Sequence, residues 1–250
     1  MSRHISEQYD LELSQISEQV MTMGGLVEQQ VDDACNALIG HDPSLARRVK
    51  ATEQQLNSME VSLDDQCIGI IARRQPAASD LRDVICMMKS VADLERIGDE
   101  ANRIASMALA LAAVEMPASQ YATFRSMHQT VLEILGNALD AFARKDAAMV
   151  PEILLADREV DTAYNNLVEE CTKQTDQEGG SMMHALNLIW AARALERVGD
   201  HAKNIAEYVV YRVRGQDIRH STVDQQTTDF GPNIGKDRTG PGDRAGTSDT

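Results

Sequence analysis

"VADLERIGDEANRIA" (Val91–Ala105) is helix-forming sequence that carries two acids, Glu95 and Asp99, four residues apart. Four residues of α-helix turn by about 40° and rise by about 6 Å, so both carboxylates leave the helix on one side. Like charges at that spacing repel. Toward the N-terminus, Leu81, Ile85, Met88, Ala92, Glu95 and Asp99 alternate steps of four and three residues, the interval of a seam facing neighbouring helices. On this reading the seam is apolar at first and then acidic for a turn.

The stretch occurs twice. "LERIGDEANRIA" (Leu94–Ala105) returns as "LERVGDHAKNIA" (Leu195–Ala206), 101 residues on. The second copy repeats the same steps through Met182, Leu186, Ile189, Arg193, Glu196 and Asp200, with Arg193 as an interruption. Upstream, "GHDPSL" pairs with "ARKDAAM", which aligns Asp42 with Asp146 at a shift of 104. The three-residue difference falls in the turn between the second and third helices of each half, where a length change costs least. The same shift sets Glu53 and Asn57 against Asp157 and Asp161.

Six long helical stretches carry this repeat, and the predicted fold class is all-α. The first spans about Ser6–Ile39, with Gly24–Gly25 as a candidate kink. Asp42 as N-cap and Pro43 at the first helical position open the second, which continues to Arg74. Pro76 pushes Gln75 out of the right-handed α region and breaks the chain. Ser79 is the candidate cap of the third helix, to about Ala113, and Pro117 marks the midpoint. The remaining stretches are about Ser119–Ala143, Ala147–Asp176 and, after the "EGGS" turn, Met182–Arg214. Helices of this length favour bundle packing. The expected architecture is two tandem, pseudo-repeated three-helix bundles, residues 1–115 and 116–215. A Gly-, Pro-, Asp- and Thr-rich tail at 216–250 is expected to be disordered.

Composition narrows the function. The 39 acids and 24 bases leave a net charge of −15, which disfavours nucleic acid and anionic lipid, both bound chiefly through Lys and Arg. The four cysteines, Cys35, Cys67, Cys86 and Cys171, lack CxxC spacing and fit buried thiols of a reducing compartment. The start "MSRHISEQYD" has no signal-peptide core, and no apolar run is long enough to span a bilayer, so a cytoplasmic location is expected. No nucleophile–base pair, phosphate loop or HExxH motif supports an enzyme.

Clustered carboxylates at a helix seam require a cation or a shared proton. All-oxygen ligands suit Mg²⁺, Ca²⁺, Mn²⁺ or iron, and the absence of Glu-x-x-His disfavours a ferritin-type site. The candidate metal residues are Glu53, Glu95, Asp99, Asp157, Asp161, Glu196 and Asp200. Asn57 contributes an amide and no charge, which makes the second-half set the more complete. The arginines of the "RRQPAASDLR" turn, Arg73, Arg74 and Arg82, join Arg96 and Arg197 as candidate partner contacts.

"ARRQPAASDLR" followed by "ADLERIGDEANRIA", with LERxGD again in the second half, resembles the PhoU family of phosphate-transport regulators over about residues 7–214. The resemblance implies a cytoplasmic protein of two similar three-helix bundles, often a homodimer. Its paired E(D)xxxD motifs would hold iron or another metal cluster. It further implies a negative regulator of phosphate uptake and of the phosphate-starvation response. The implied partners are the ATP-binding subunit of the high-affinity phosphate transporter and the phosphate-sensing histidine kinase. Contact with the membrane would be only indirect, through these partners. The alternative reading is a helical protein that binds or stores metal or phosphate.

Overall fold

The computed structural model describes residues 2–113, 118–175 and 181–218 and is all-α over them, without strands. The expected midpoint at Pro117, most of the "EGGS" turn and the tail beyond residue 218 lie outside the described residues. Helix α1 (Ser2–Gly40) is followed by α2 (Pro43–Ala51), α3 (Glu53–Arg74) and α4 (Ser79–Leu111). The second half holds α5 (Ala122–Arg144), α6 (Val150–Thr175) and α7 (Met182–Arg214), with short 3₁₀ turns at Ala118–Tyr121 and Ala147–Met149.

The first turn of each half is built identically without the help of glycine at the critical position. His41 (φ 52°) and Lys145 (φ 54°) take left-handed conformations. The following N–H groups reach back five residues, Asp42 to the Ala37 carbonyl (2.9 Å) and Asp146 to that of Ala141 (3.0 Å). This 6→1 closure ends one helix, and the aspartate caps the next: Asp42 Oδ1 accepts from the N–H groups of Ser44 and Leu45, Asp146 Oδ1 from Ala148.

The second helical stretch differs from expectation, because it breaks at Thr52. Val49 should offer its carbonyl to the N–H of residue 53. Instead that oxygen accepts from the Thr52 backbone N–H in a tightened i→i+3 bond (3.2 Å), from the Thr52 hydroxyl (2.6 Å) and from the Gln30 amide of α1 (3.1 Å). These donors occupy the carbonyl in place of the N–H of residue 53, which divides α2 from α3. Ser79 also departs from its expected role. The residue before α4 is Ala78, at a positive φ (49°), and the Ser79 hydroxyl donates to its neighbour Asp80. Gln75 does leave the right-handed region, entering the left-handed one (φ 50°).

Helix α1 runs unbroken through Gly24–Gly25. A Cβ on Gly24 would stand 2.6 Å from Leu139 Cδ2, so this glycine lets α1 and α5 cross closely, whereas Gly25 faces open space.

The seam of α4 lies one residue away from the expected set. The buried positions are Val84, Met87, Val91, Leu94, Gly98, Ala101, Ala105 and Ala108. Each has a buried counterpart 101 residues later on α7: Ala185, Leu188, Ala192, Leu195, Gly199, Ala202, Ala206 and Val209. Leu81, Ile85, Met88 and Ala92 are only partly buried, and Met182 is exposed. Thus Glu95 and Asp99 flank the apolar seam and do not interrupt it. A second buried stripe on α4, through Cys86, Ser90, Asp93, Ile97, Glu100 and Ile104, faces α7. Helix α4 is covered on two sides, by α1–α3 and by α7. The buried apolar side chains of both halves join into one core.

Helices α4 and α7 run antiparallel, as their cross-links show. Arg212, buried near the end of α7, donates to Asp83 of α4 (3.0 and 3.3 Å) and to the Phe142 carbonyl of α5 (3.2 Å). Asp83 also accepts from Lys145 (2.9 Å), and its two cations hold its carboxyl below the ordinary range against the opposing effect of burial.

Two stability measurements check this packing. Replacing Gly25 by Ala removes backbone entropy from the unfolded chain at no steric cost and should raise urea stability by about 0.5–1 kcal/mol, while Gly24→Ala should show no such gain. Arg212→Met leaves Asp83 with Lys145 alone and removes the side-chain donor to the Phe142 carbonyl, which keeps only the Lys145 backbone N–H, a loss of about 3 kcal/mol by the same assay.

Candidate acidic clusters and the α4–α7 interface

Each half brings acids together, though not always those expected. On α4, Glu95 is half-buried and its carboxyl is raised by burial first, then by Asp99 and by Glu60 of α3. Glu60 is raised in turn by burial, Asp64 and Asp99, and Asp64 by burial and Asp65. The acid that α3 sets against Glu95 and Asp99 is therefore Glu60. Glu53 stands exposed in the first turn of α3, seven residues earlier. Seven residues are nearly two full turns, so both positions share a helix face and differ by about 10 Å along the axis. The signal was present in the sequence, since "EVSLD" (Glu60–Asp64) is itself ExxxD. Alignment on the Asp42 and Asp146 caps drew attention one heptad too early.

The second half gathers Asp157, Asp161, Glu196 and Asp200, all four expected. Asp157 and Glu196 are buried and raised, first by desolvation. Asp200 and Asp161 push both further in the same direction. Arg193 donates to Glu196 Oε1 (2.6 Å), while buried Oε2 has no partner among the described residues. Lys203 is the element that sequence reasoning missed. Its ammonium donates to Asp157 Oδ2 (2.5 Å) and Asp200 Oδ1 (2.8 Å), and these bonds raise its pKa despite burial. Position 102, its counterpart in the first half, is an asparagine whose buried amide has no partner among the described residues. The second cluster thus has a cation of its own, and the first has none at that position.

Gly98 and Gly199 sit where the second helical stretch crosses each seam. A Cβ on Gly98 would meet Leu56 Cδ1 at 2.6 Å, while one on Gly199 would find Asp157 Oδ1 at an ordinary 3.5 Å. Close approach requires glycine only in the first half.

Oxygen donors in this number fit a hard cation, and the orphaned Glu196 Oε2 is an acceptor such an ion would satisfy. Among the described residues no three His, Cys, Asp or Glu side chains are gathered closely enough to ligate one ion. The carboxylates are near enough to shift one another but remain spread along the helix surfaces.

The expected partner arginines serve internal roles first. Arg73 and Arg74 pair with Glu12 of α1 (3.8 and 2.7 Å), and Arg82 lies beside Gly215 at the end of α7. Arg96 and Arg197 hold carboxylates at the α4–α7 interface, where two buried acids of α4 are clasped from α7. Asp93 meets His201 Nδ1 (2.7 Å) and the Asn204 amide (3.3 Å), with Arg96 at 3.8 Å. Glu100 meets Arg197 (2.7 Å) and Arg103 (2.8 Å). His184 packs edge-on against Tyr121 (5.7 Å). The four cysteines are free and buried, and burial lifts the thiols of Cys67, Cys86 and Cys171 to about 11.

Twin helical bundles, joined by a polar clasp and bearing paired acidic motifs, define a duplicated all-α bundle protein. The PhoU domain matches the sequence twice, over residues 20–108 and 124–209, and the chain belongs to the PhoU family. It is 46% identical over 220 residues to a phosphate-specific transport system accessory protein PhoU homolog of Pseudomonas aeruginosa, covering 88% of this chain and 91% of the relative. It is 40% identical to the Escherichia coli accessory protein PhoU over 229 residues, covering 90% and 93%. The crystal structure of PhoU from Pseudomonas aeruginosa superposes with a TM-score of 0.80 at 45% identity, over 83% of this chain and all (100%) of that one. The phosphate transport system regulatory protein PhoU from Streptococcus pneumoniae gives 0.77 at 28% identity, over 84% and 98%.

The raised carboxyls set the sign of a pH effect. An acid whose folded pKa exceeds its unfolded value favours the fold when protonated, and that contribution is lost as pH rises through the folded pKa. For Glu60, Asp64, Glu95, Asp157 and Glu196 the window lies above their ordinary 3.8–4.5. Chelator-treated protein should therefore gain urea stability as pH falls from neutrality toward the ordinary carboxylate range. Glu95→Gln should flatten that slope and stabilise the protein at pH 7.

Proposed function

We propose that this protein regulates phosphate transport as a cytoplasmic adaptor between the high-affinity phosphate transporter and the phosphate-sensing histidine kinase. When phosphate is plentiful it restrains uptake through the transporter's ATP-binding subunit and holds the kinase in its repressing state. The observation that carries the reading is the double PhoU match, one to each half, together with accessory proteins of the same name aligned over nearly their whole length. No helix among the described residues is long and apolar enough to cross a membrane, which accords with membrane contact made only through partners. The homodimer expected from the resemblance belongs to the same proposal.

The acidic clusters are the metal sites of this proposal, in a structural or sensing role, and an ion there would have to draw together carboxylates that now lie spread along the helix surfaces. Glu60, Asp64, Glu95 and Asp99 would hold it in the first half, and Asp157, Asp161, Glu196 and Asp200 in the second. The cation supplies charge neutralisation at oxygen donors; the chain supplies the positions of those donors. Because Lys203 already pairs with Asp157 and Asp200, the first-half cluster takes the ion at lower concentration.

Deleting the gene should derepress the phosphate-starvation genes in phosphate-rich medium, and pull-down should recover the transporter ATPase subunit and the kinase. Repression that survives deletion, with neither partner recovered, refutes the adaptor. Metal analysis of protein purified without chelator, beside the quadruple variant Glu95→Ala, Asp99→Ala, Glu196→Ala, Asp200→Ala, tests the metal role. Metal-free protein that keeps full regulation excludes both a sensing role for the ion and the storage alternative.

A further inference from the structure

Trp190 is the only tryptophan of the chain, and it is 54% exposed on α7. Exposed Met182 and Met183 lie on the first turn of the same helix. Beside Trp190 a cleft of about 280 Å³ opens between α4 and α7, lined by Met107, Ala194 and the indole, by Arg103, Arg193 and Arg197, and by Glu100, with which Arg103 and Arg197 pair. On α7, Trp190, Arg193 and Arg197 follow one another at intervals of three and four, so they share a face. Arg103 and Met107 do the same on α4.

The charges of this face are layered. The side chains of Arg96, Arg103, Arg193 and Arg197 are about half-exposed, while the carboxylates that hold them, Asp93, Glu100 and Glu196, lie beneath with their side chains 2%, 3% and 10% exposed. An approaching molecule meets the positive layer first. On a chain of net charge −15 that is a local inversion of sign. The held arginines have also lost much of their side-chain freedom, which lowers the entropy cost of a further contact.

We infer that this cleft docks an acidic amphipathic segment of a partner protein, with an apolar side chain seated against Trp190 and carboxylates facing Arg103, Arg193 and Arg197. Aromatic and arginine side chains together are the common anchors of protein interfaces. Nucleic acid is disfavoured by the acidic surface around the patch. A symmetric contact with a second copy would set one guanidinium layer against another, and like charges facing each other cost several kcal/mol. The inference rests on the adaptor reading only in taking the partner to be a protein.

The single tryptophan makes the test direct. Full-length protein is titrated with a synthetic helix-forming peptide bearing a Leu/Phe stripe flanked by Glu. The control is the same peptide with every Glu changed to Lys. The acidic peptide should shift Trp190 emission to the blue and bind at least about tenfold more tightly than the control, a difference of about 1.4 kcal/mol. Arg103→Glu should weaken it about tenfold or more at unchanged helical circular dichroism, with Arg103→Lys recovering most of the loss. Trp190→Ser, followed by anisotropy of the labelled peptide, should weaken it comparably. Equal binding of the two peptides, or wild-type affinity in Arg103→Glu, overturns the docking surface. So does a blue shift on concentrating the protein alone, which would assign the face to self-association. The deletion strain tests the adaptor reading separately, so failure of the peptide leaves that reading in place.

Discussion

Two carboxylates of α4 with almost no access to water, Asp93 and Glu100, hold the molecule's centre together. A buried carboxylate is tolerated only when partners replace the water it has lost. Here α7 provides them: His201 and Asn204 for Asp93, and Arg197 for Glu100. Apolar side chains alone would let two long antiparallel helices slide by a turn at modest cost. Fixed pairs do not, because a slip strips both buried acids of their α7 partners and leaves them only the arginines of their own helix, Arg96 and Arg103. The polar clasp therefore sets register, while the apolar stripes around it supply most of the favourable burial.

That register has consequences at the surface. Arg96 and Arg103 extend outward from α4 beside the buried acids, and Arg193 and Arg197 do so from α7. An acidic chain thereby acquires a basic, partly apolar strip along its central helix pair. The acidic clusters lie to the sides, where α3 and α6 cross the same two helices. One pair of duplicated helices thus organises both the central polar face and the flanking carboxylates.

The duplication is close in backbone and divergent in charge. The seam positions of α4 and α7 correspond one for one, and both halves close their first turn with a left-handed residue followed by an aspartate cap. Yet Lys203 fills a site that asparagine occupies in the first half, and Leu56 crosses Gly98 where Asp157 lies beside Gly199. A helix seam constrains the volume and polarity of its inward residues strongly and its flanks weakly. The copies have consequently kept a common core and come to differ in how their acids are neutralised.

Local sequence determined the helices, the repeat, the aspartate caps and the ends of α7 at Met182 and Arg214, because caps, prolines and apolar spacing act within a few residues. It also put Glu95, Asp99, Glu196 and Asp200 on one side of their helices. Tertiary structure decided which stripe is the seam. With α4 covered on two sides, apolar spacing alone cannot separate a core position from its half-buried neighbour one residue away. Packing likewise chose Glu60 over Glu53, broke the second helix through Gln30 and Thr52, and made Gly24 a crossing point. Each of these depends on a residue from another helix, at a distance in the chain that no local pattern encodes.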